Sequence, residues 1–153
     1  MATTGDNSKK ALIDGLNGLL ADHLALYMKT KNFHWHVTGE RFRQLHLLFD
    51  EQAAQIQGQV DEVAERVRKN DEMTLTSIGS IAKHTQVKDQ DDVTLTPDAM
   101  VRELRDDNAA MVARLKEVKG FAEEAGDNAT DGLIDDWTDM AEERVWFLNS
   151  HLK

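Results

Sequence analysis

Apolar residues recur at three- and four-residue steps along almost the whole chain, and no stretch of useful length alternates with period two. The first spacing lines one face of an α-helix; the second would line one face of a strand. The chain is therefore restricted to helix packed on helix. Leu12, Leu16, Leu19, His23 and Tyr27 predict a helix over about 8–36, which Gly39 breaks. Phe42, Leu45, Phe49, Gln52, Ile56, Val60, Val63 and Val67 predict a second over about 41–69. Thr96-Pro97 pairs a capping residue with proline at the first helical position and opens a third, over about 97–124. Leu104, Met111, Leu115, Val118 and Ala122 carry its apolar face. Gly126-Asp127-Asn128 interrupts, and Leu133, Trp137, Met140, Arg144 and Leu148 predict a fourth helix over about 130–151. A length of 153 residues suits one domain over 1–153 with a sizeable core, residues 1–8 being expected as a flexible N-terminal tail.

The connections set the topology. Helices one and two are joined tightly, as are three and four, so each pair is expected to be antiparallel. Residues 70–96 make a connection far longer than a usual helix–helix loop. A segment of that length can run the height of a bundle and return the chain so that helices two and three are parallel. Within it, Ser77 to Thr85 has enough periodicity for a short helix of its own.

Composition excludes several functions. There is no cysteine, so disulfides, thiolate metal sites and cysteine nucleophiles are ruled out. No apolar run approaches a membrane span, and the N-terminus lacks the apolar core of a secretory signal, so a cytoplasmic protein is expected. The net charge of −10 repels nucleic acid and attracts cations. DNA binding would need a local basic arm, and only Lys9-Lys10 offers one.

The chemistry-bearing residues cluster on helix two. His46, Asp50, Asp61 and Glu65 are separated by four, eleven and four residues, steps that drift little around a helix, so all four share one stripe beside the apolar one. Asp50 and Asp61 nevertheless stand about 16 Å apart along the axis, whereas metal–ligand distances are about 2 Å. One helix cannot bring both pairs to one ion. Two copies placed antiparallel about a twofold axis can, because Asp61 and Glu65 of one then meet His46 and Asp50 of the other. Ala54 and Gly58, small residues between the pairs, would allow the close approach. His34 lies across the Gly39 turn from His46 and can join the same half-site. Two imidazoles with three carboxylates would suit iron(II), manganese or zinc. Taken singly, a histidine near an acid, a solvated acidic face and a core histidine are all ordinary. Spacing alone leaves the metal reading and that plain reading both open.

The stretch KTKNFHWHVTGERFRQLHLLFDEQ (Lys29 to Gln52), followed by VDEVAERVR (Val60 to Arg68), resembles the Dps family of ferritin-like miniferritins. The long crossover with its short helix and Trp146-Phe147 extend the likeness over most of the chain. The resemblance implies an all-α, ferritin-like four-helix bundle with one long crossover carrying a short extra helix. It also implies a hollow dodecamer that oxidises Fe(II), with hydrogen peroxide in preference to dioxygen, and stores ferric mineral while limiting radical damage. The sites would lie at twofold interfaces, with His34, His46 and Asp50 from one subunit and Asp61 and Glu65 from its partner. Trp35 would stand beside the centre and intercept stray oxidant. Asp127, Asp131, Asp135 and Asp136, at the start of helix four, would line a threefold pore admitting iron, although Gly132 stands where an acid is expected; read alone, the same acids complement a helix dipole. No haem is expected.

Two alternatives stand beside this reading. One is a DNA-binding architectural stress protein with secondary iron chemistry, associated with the nucleoid; the thin basic arm predicts weak or absent DNA binding. The other is a helical bundle whose acidic stripe only shapes an interface. His36 is expected at the surface, and His23 as a core histidine or a support to the site.

Overall fold

The computed structural model describes residues 4–153, which form six helical segments. They are α1 (Thr4–His36), α2 (Phe42–Gly58), α3 (Val60–Lys69), α4 (Ile78–His84), α5 (Pro97–Ala125) and α6 (Asn128–Ser150). Of the tail expected over 1–8, residues 4–8 belong to α1, and residues 1–3 lie outside the described residues.

Local chemistry sets the boundaries. Gly39 turns the chain between α1 and α2 with φ of 101°. The Thr96 side chain accepts the Ala99 N–H and Pro97 fills the first position of α5. Gly126, at φ 73°, ends α5 in the left-handed region, and the Asp127 side chain caps α6 by accepting the Thr130 N–H. Ser77 and Ser80 cap α4 reciprocally.

Side-chain pairings give the directions. His34 meets His46 while His23 meets Gln59, so α1 and α2 are antiparallel. Arg144 meets Asn108 while Lys119 meets Asp131, so α5 and α6 are antiparallel. Lys29 pairs with Asp107 and Asp22 with Arg114, which sets α1 against α5 in the opposite sense. It follows that α2 and α5 run parallel, as the long connection predicts. That connection is laced along α1. Thr74 donates to Asn17, Thr85 and Gln86 donate to Asp22, and Asn32 donates to the Gln90 carbonyl. From Asn17 to Asn32 is about 22 Å of helix, so the crossover runs along much of the bundle.

The core is built largely from the predicted stripes: Leu12, Leu16, Leu19, Leu45, Phe49, Ile56, Val63, Val67, Leu104, Met111, Leu115, Trp137 and Leu148 are all buried, joined by Leu26 and Phe33. Each large one contributes about 1.5–3 kcal/mol over leaving it in water. Three expectations are corrected. Phe42 is exposed rather than core, because it begins α2 and stacks over His46 at 5.0 Å. Met140, on the predicted stripe of α6, is 37% exposed. The helix predicted over 41–69 is two segments. At Gln59 the backbone N–H bonds the carbonyl of Ile56, three residues back, and the ladder resumes with Val63 N–H on the Gln59 carbonyl.

Polar residues also enter the bundle centre. Arg144 is 2% exposed and donates to Asn108 Oδ1 and Gln55 Oε1, each at 2.7 Å. Burial lowers its guanidinium to about 10. Lys29, also buried, sits between Glu103 at 3.1 Å and Asp107 at 2.8 Å. Burial raises the Asp107 carboxyl despite that ammonium.

Candidate metal centre

His34 occupies the last turn of α1 and His46 the first turns of α2, facing one another across the Gly39 turn. Their rings stack at 3.8 Å with planes 16° apart. Each imidazole reaches the other's backbone. His34 Nδ1 lies 2.6 Å from the His46 carbonyl, and His46 Nδ1 lies 2.7 Å from the His34 carbonyl. A carbonyl oxygen can only accept, so both rings carry their proton on Nδ1. In the neutral ring this leaves the lone pair on Nε2. This is the arrangement in which a backbone partner fixes ring orientation and tautomer and leaves the other nitrogen to bind a metal.

Asp50, one turn beyond His46, brings Oδ1 to 3.8 Å from His34 Nε2. The same oxygen accepts from Lys31 Nζ at 2.8 Å. That hydrogen bond is the main reason the Asp50 carboxyl sits below its usual range; the charge of Lys31 and the two imidazoles push the same way, against burial. Trp35 is 55% exposed, with the Lys31 ammonium 6.0 Å above its ring. One chain therefore places three potential donors, His34 Nε2, His46 Nε2 and the Asp50 carboxylate, near one another on one face, without closing them to the spacing that would hold an ion.

Asp61 and Glu65 do not join them. Both are exposed on α3, beyond the break at Gln59. Among the described residues no three histidines and acids stand close enough to hold an ion. The exposed strip between the half-sites carries Ala54 and Gly58, and a Cβ added at Gly58 would meet nothing within 4 Å. The face is smooth where a second helix would have to lie close.

The four acids at the start of α6 behave differently. Asp127 accepts from Arg66 at 2.9 and 3.0 Å, from Asn70 at 3.0 Å and from both the N–H and the hydroxyl of Thr130. Burial alone would raise its carboxyl, but these bonds outweigh burial and hold it far below the usual range. Asp131 and Asp135 share Lys119, the second at 2.8 Å. Those two carboxylates hold the ammonium above its ordinary range. Asp136 is exposed. Three of the four acids are thus engaged by cations of their own chain.

His23 is fully buried, as a core histidine should be, with Nδ1 2.7 Å from the Leu19 carbonyl and Nε2 2.9 Å from the Gln59 side chain. Burial pushes its imidazole down. His36 is exposed and turned back onto Asn32. Sequence reasoning missed Lys31. Its place three residues before His34 puts it on the same helix face, but its partner, Asp50, belongs to another helix.

A ferritin-like domain family matches residues 13–153. A DNA protection during starvation protein of Brevibacillus brevis is 30% identical over 138 residues, covering 90% of this chain and 92% of the relative. The chain belongs to the Dps family of ferritin-like proteins. The solved Dps of Thermosynechococcus elongatus superposes with a TM-score of 0.95 at 26% identity, covering 99% of this chain and 96% of the other. Vibrio cholerae Dps superposes at 0.90 with 30% identity, covering 96% and 92%, and is described as one of a broad superfamily of ferritin-like diiron-carboxylate proteins. Both therefore share this chain's overall fold. No helix of the described residues is long and apolar enough to cross a membrane.

Proposed function

We propose that this Dps-family protein is a ferroxidase and iron store, with its oxidation sites shared between two subunits. His34, His46 and Asp50 of one subunit face Asp61 and Glu65 of the partner subunit, twice per twofold dimer, within a hollow dodecamer that holds the ferric product. The observation that carries the reading is the reciprocal histidine pair. Two imidazoles are locked with both Nε2 lone pairs unspent beside a carboxylate, on a face that, among the described residues, gains no further ligand from its own chain.

Iron is the substrate. Two Fe(II) ions each give one electron to hydrogen peroxide; the O–O bond breaks and two protons are taken up, leaving two Fe(III) and two waters. Two metals side by side let the peroxide receive both electrons without releasing hydroxyl radical. Carboxylates favour the harder ferric ion and imidazoles the ferrous one. Peroxide is the oxidant favoured, with dioxygen as the slower substitute. Trp35, exposed beside Lys31, is placed to intercept stray oxidant. Asp136, with Asp127, Asp131 and Asp135 paired off, is the acid of the α6 group most free to meet incoming cations. The protein acts in the cytoplasm. Weak or absent DNA binding is supported by the net charge of −10 and by the ion pairs of Lys9 with Glu72 and Lys10 with Asp14.

The test is anaerobic loading with Fe(II) followed by a pulse of peroxide, tracking ferric absorbance and trapped radical. The wild-type protein should oxidise iron rapidly with little radical, and Asp61→Ala/Glu65→Ala should not. Oxidation no faster than that of iron in buffer would reject the proposal and favour an acidic stripe that serves only as an interface.

A further inference from the structure

The break at Gln59 separates the two half-sites. His46 and Asp50 ride on α2, and Asp61 and Glu65 ride on α3. The angle between these two segments therefore decides where one subunit's carboxylates arrive against the other's histidines. A row of polar side chains ties α3 and its N-cap to the rest of the bundle. Gln59 is 4% exposed, and its amide is clamped 2.9 Å from His23 Nε2 and 2.9 Å from Met140 Sδ. Glu62 accepts the indole N–H of buried Trp137 at 2.8 Å. Arg66 donates to the Thr130 hydroxyl at 2.7 Å and to Asp127. Asn70 donates to Asp127 at 3.0 Å.

Positions 59, 62, 66 and 70 follow helical spacing, so they form one stripe along α3 and its two caps. Their partners at 127, 130, 137 and 140 lie along α6 and its N-cap. Asp61 and Glu65 leave the same turns about 100° around the helix from the row. A segment of ten residues is too short to hold its own direction. Its fully buried apolar residues are only Val63 and Val67. Two valines can press α3 onto the bundle, but they tolerate a roll or tilt that directional bonds do not.

We propose that Gln59 and Glu62, acting through His23, Met140 and Trp137, are positioning residues that set the pitch of α3 and so align the Asp61/Glu65 half-site with its partner subunit. This rests on the intersubunit reading above.

The test uses the assembled protein and Co(II), whose binding and visible spectrum report ligand geometry without turnover. Gln59→Leu keeps the volume and removes the clamp. Trp137→Phe keeps an aromatic ring and removes the N–H that holds Glu62. Both should remain assembled and helical, yet bind Co(II) about tenfold more weakly, with an altered spectrum. Leu104→Ala, a buried substitution on α5 away from α3, should lower the melting temperature and leave Co(II) binding unchanged. Wild-type affinity and spectrum in both Gln59→Leu and Trp137→Phe, with binding lost in Asp61→Ala/Glu65→Ala, would overturn the positioning role alone. Unchanged binding in that double variant would overturn the shared site and the positioning role together.

Discussion

Two ends of the bundle carry dense groups of ligand-type side chains, and they spend them in opposite ways. At the α1–α2 turn, His34 and His46 commit only Nδ1 to internal hydrogen bonds and keep Nε2 free. At the start of α6, Asp127 is saturated by Arg66, Asn70 and Thr130, and Asp131 and Asp135 are drawn onto Lys119. By residue type the second group is the stronger cation site. By remaining valence it is the weaker one. Capacity to bind a metal depends on which lone pairs the fold leaves unused and not on how many acids lie near one another.

The difference can be broken from the α6 side first. Asp127→Ala removes a helix cap and leaves Arg66, itself only 14% exposed, without its carboxylate. The expected cost is about 2–3 kcal/mol of stability, with no change in metal bound per subunit. The pH dependence has a defined sign. The folded carboxyl of Asp127 lies below its unfolded value of about 3.9, so its stabilisation is fully present above about pH 4 and is lost as pH falls further. Unfolding curves for the wild type and Asp127→Ala should therefore stay apart from pH 5 to 7 and converge in stronger acid. A gap that persists unchanged at pH 2 would contradict the assignment.

A smaller effect sharpens the comparison from the other side. Asp50 is the one donor of the histidine end that is partly spent, on Lys31. Lys31→Ala should tighten Co(II) binding by roughly twofold to fivefold, the size expected for an exposed ion pair. Weaker binding in a titration of that variant would mean that Lys31 supports the site instead of competing with it.

Much of this was readable from the chain. Three- and four-residue apolar spacing located every major helix, and the length of residues 70–96 allowed α2 and α5 to be parallel. Spacing alone pairs His46 with Asp50 and Asp61 with Glu65, because helical phase is a property of sequence, but placing all four on one stripe assumes an unbroken helix over 41–69. The break at Gln59 and the burial of its side chain were not legible, because its partners His23 and Met140 lie 36 and 81 positions away. Phe42 has the right phase for the core, yet the helix begins there and leaves the ring over His46. The saturation of Asp127 was hidden for the same reason, since Arg66 and Asn70 approach it from another helix. Phase predicts which residues share a face, whereas hydrogen-bond partners across elements decide what those residues have left to offer.

The central claim is that a complete site needs two chains, and complementation tests it most directly. One variant carries His34→Ala/His46→Ala and the other Asp61→Ala/Glu65→Ala. Neither assembled alone should bind Co(II) at the site. Unfolded together and reassembled at equal amounts, each mixed twofold dimer regains one intact site, so random pairing restores roughly a quarter of wild-type binding. No recovery in properly assembled mixed oligomers, or substantial site binding by either parent alone, would contradict the shared site.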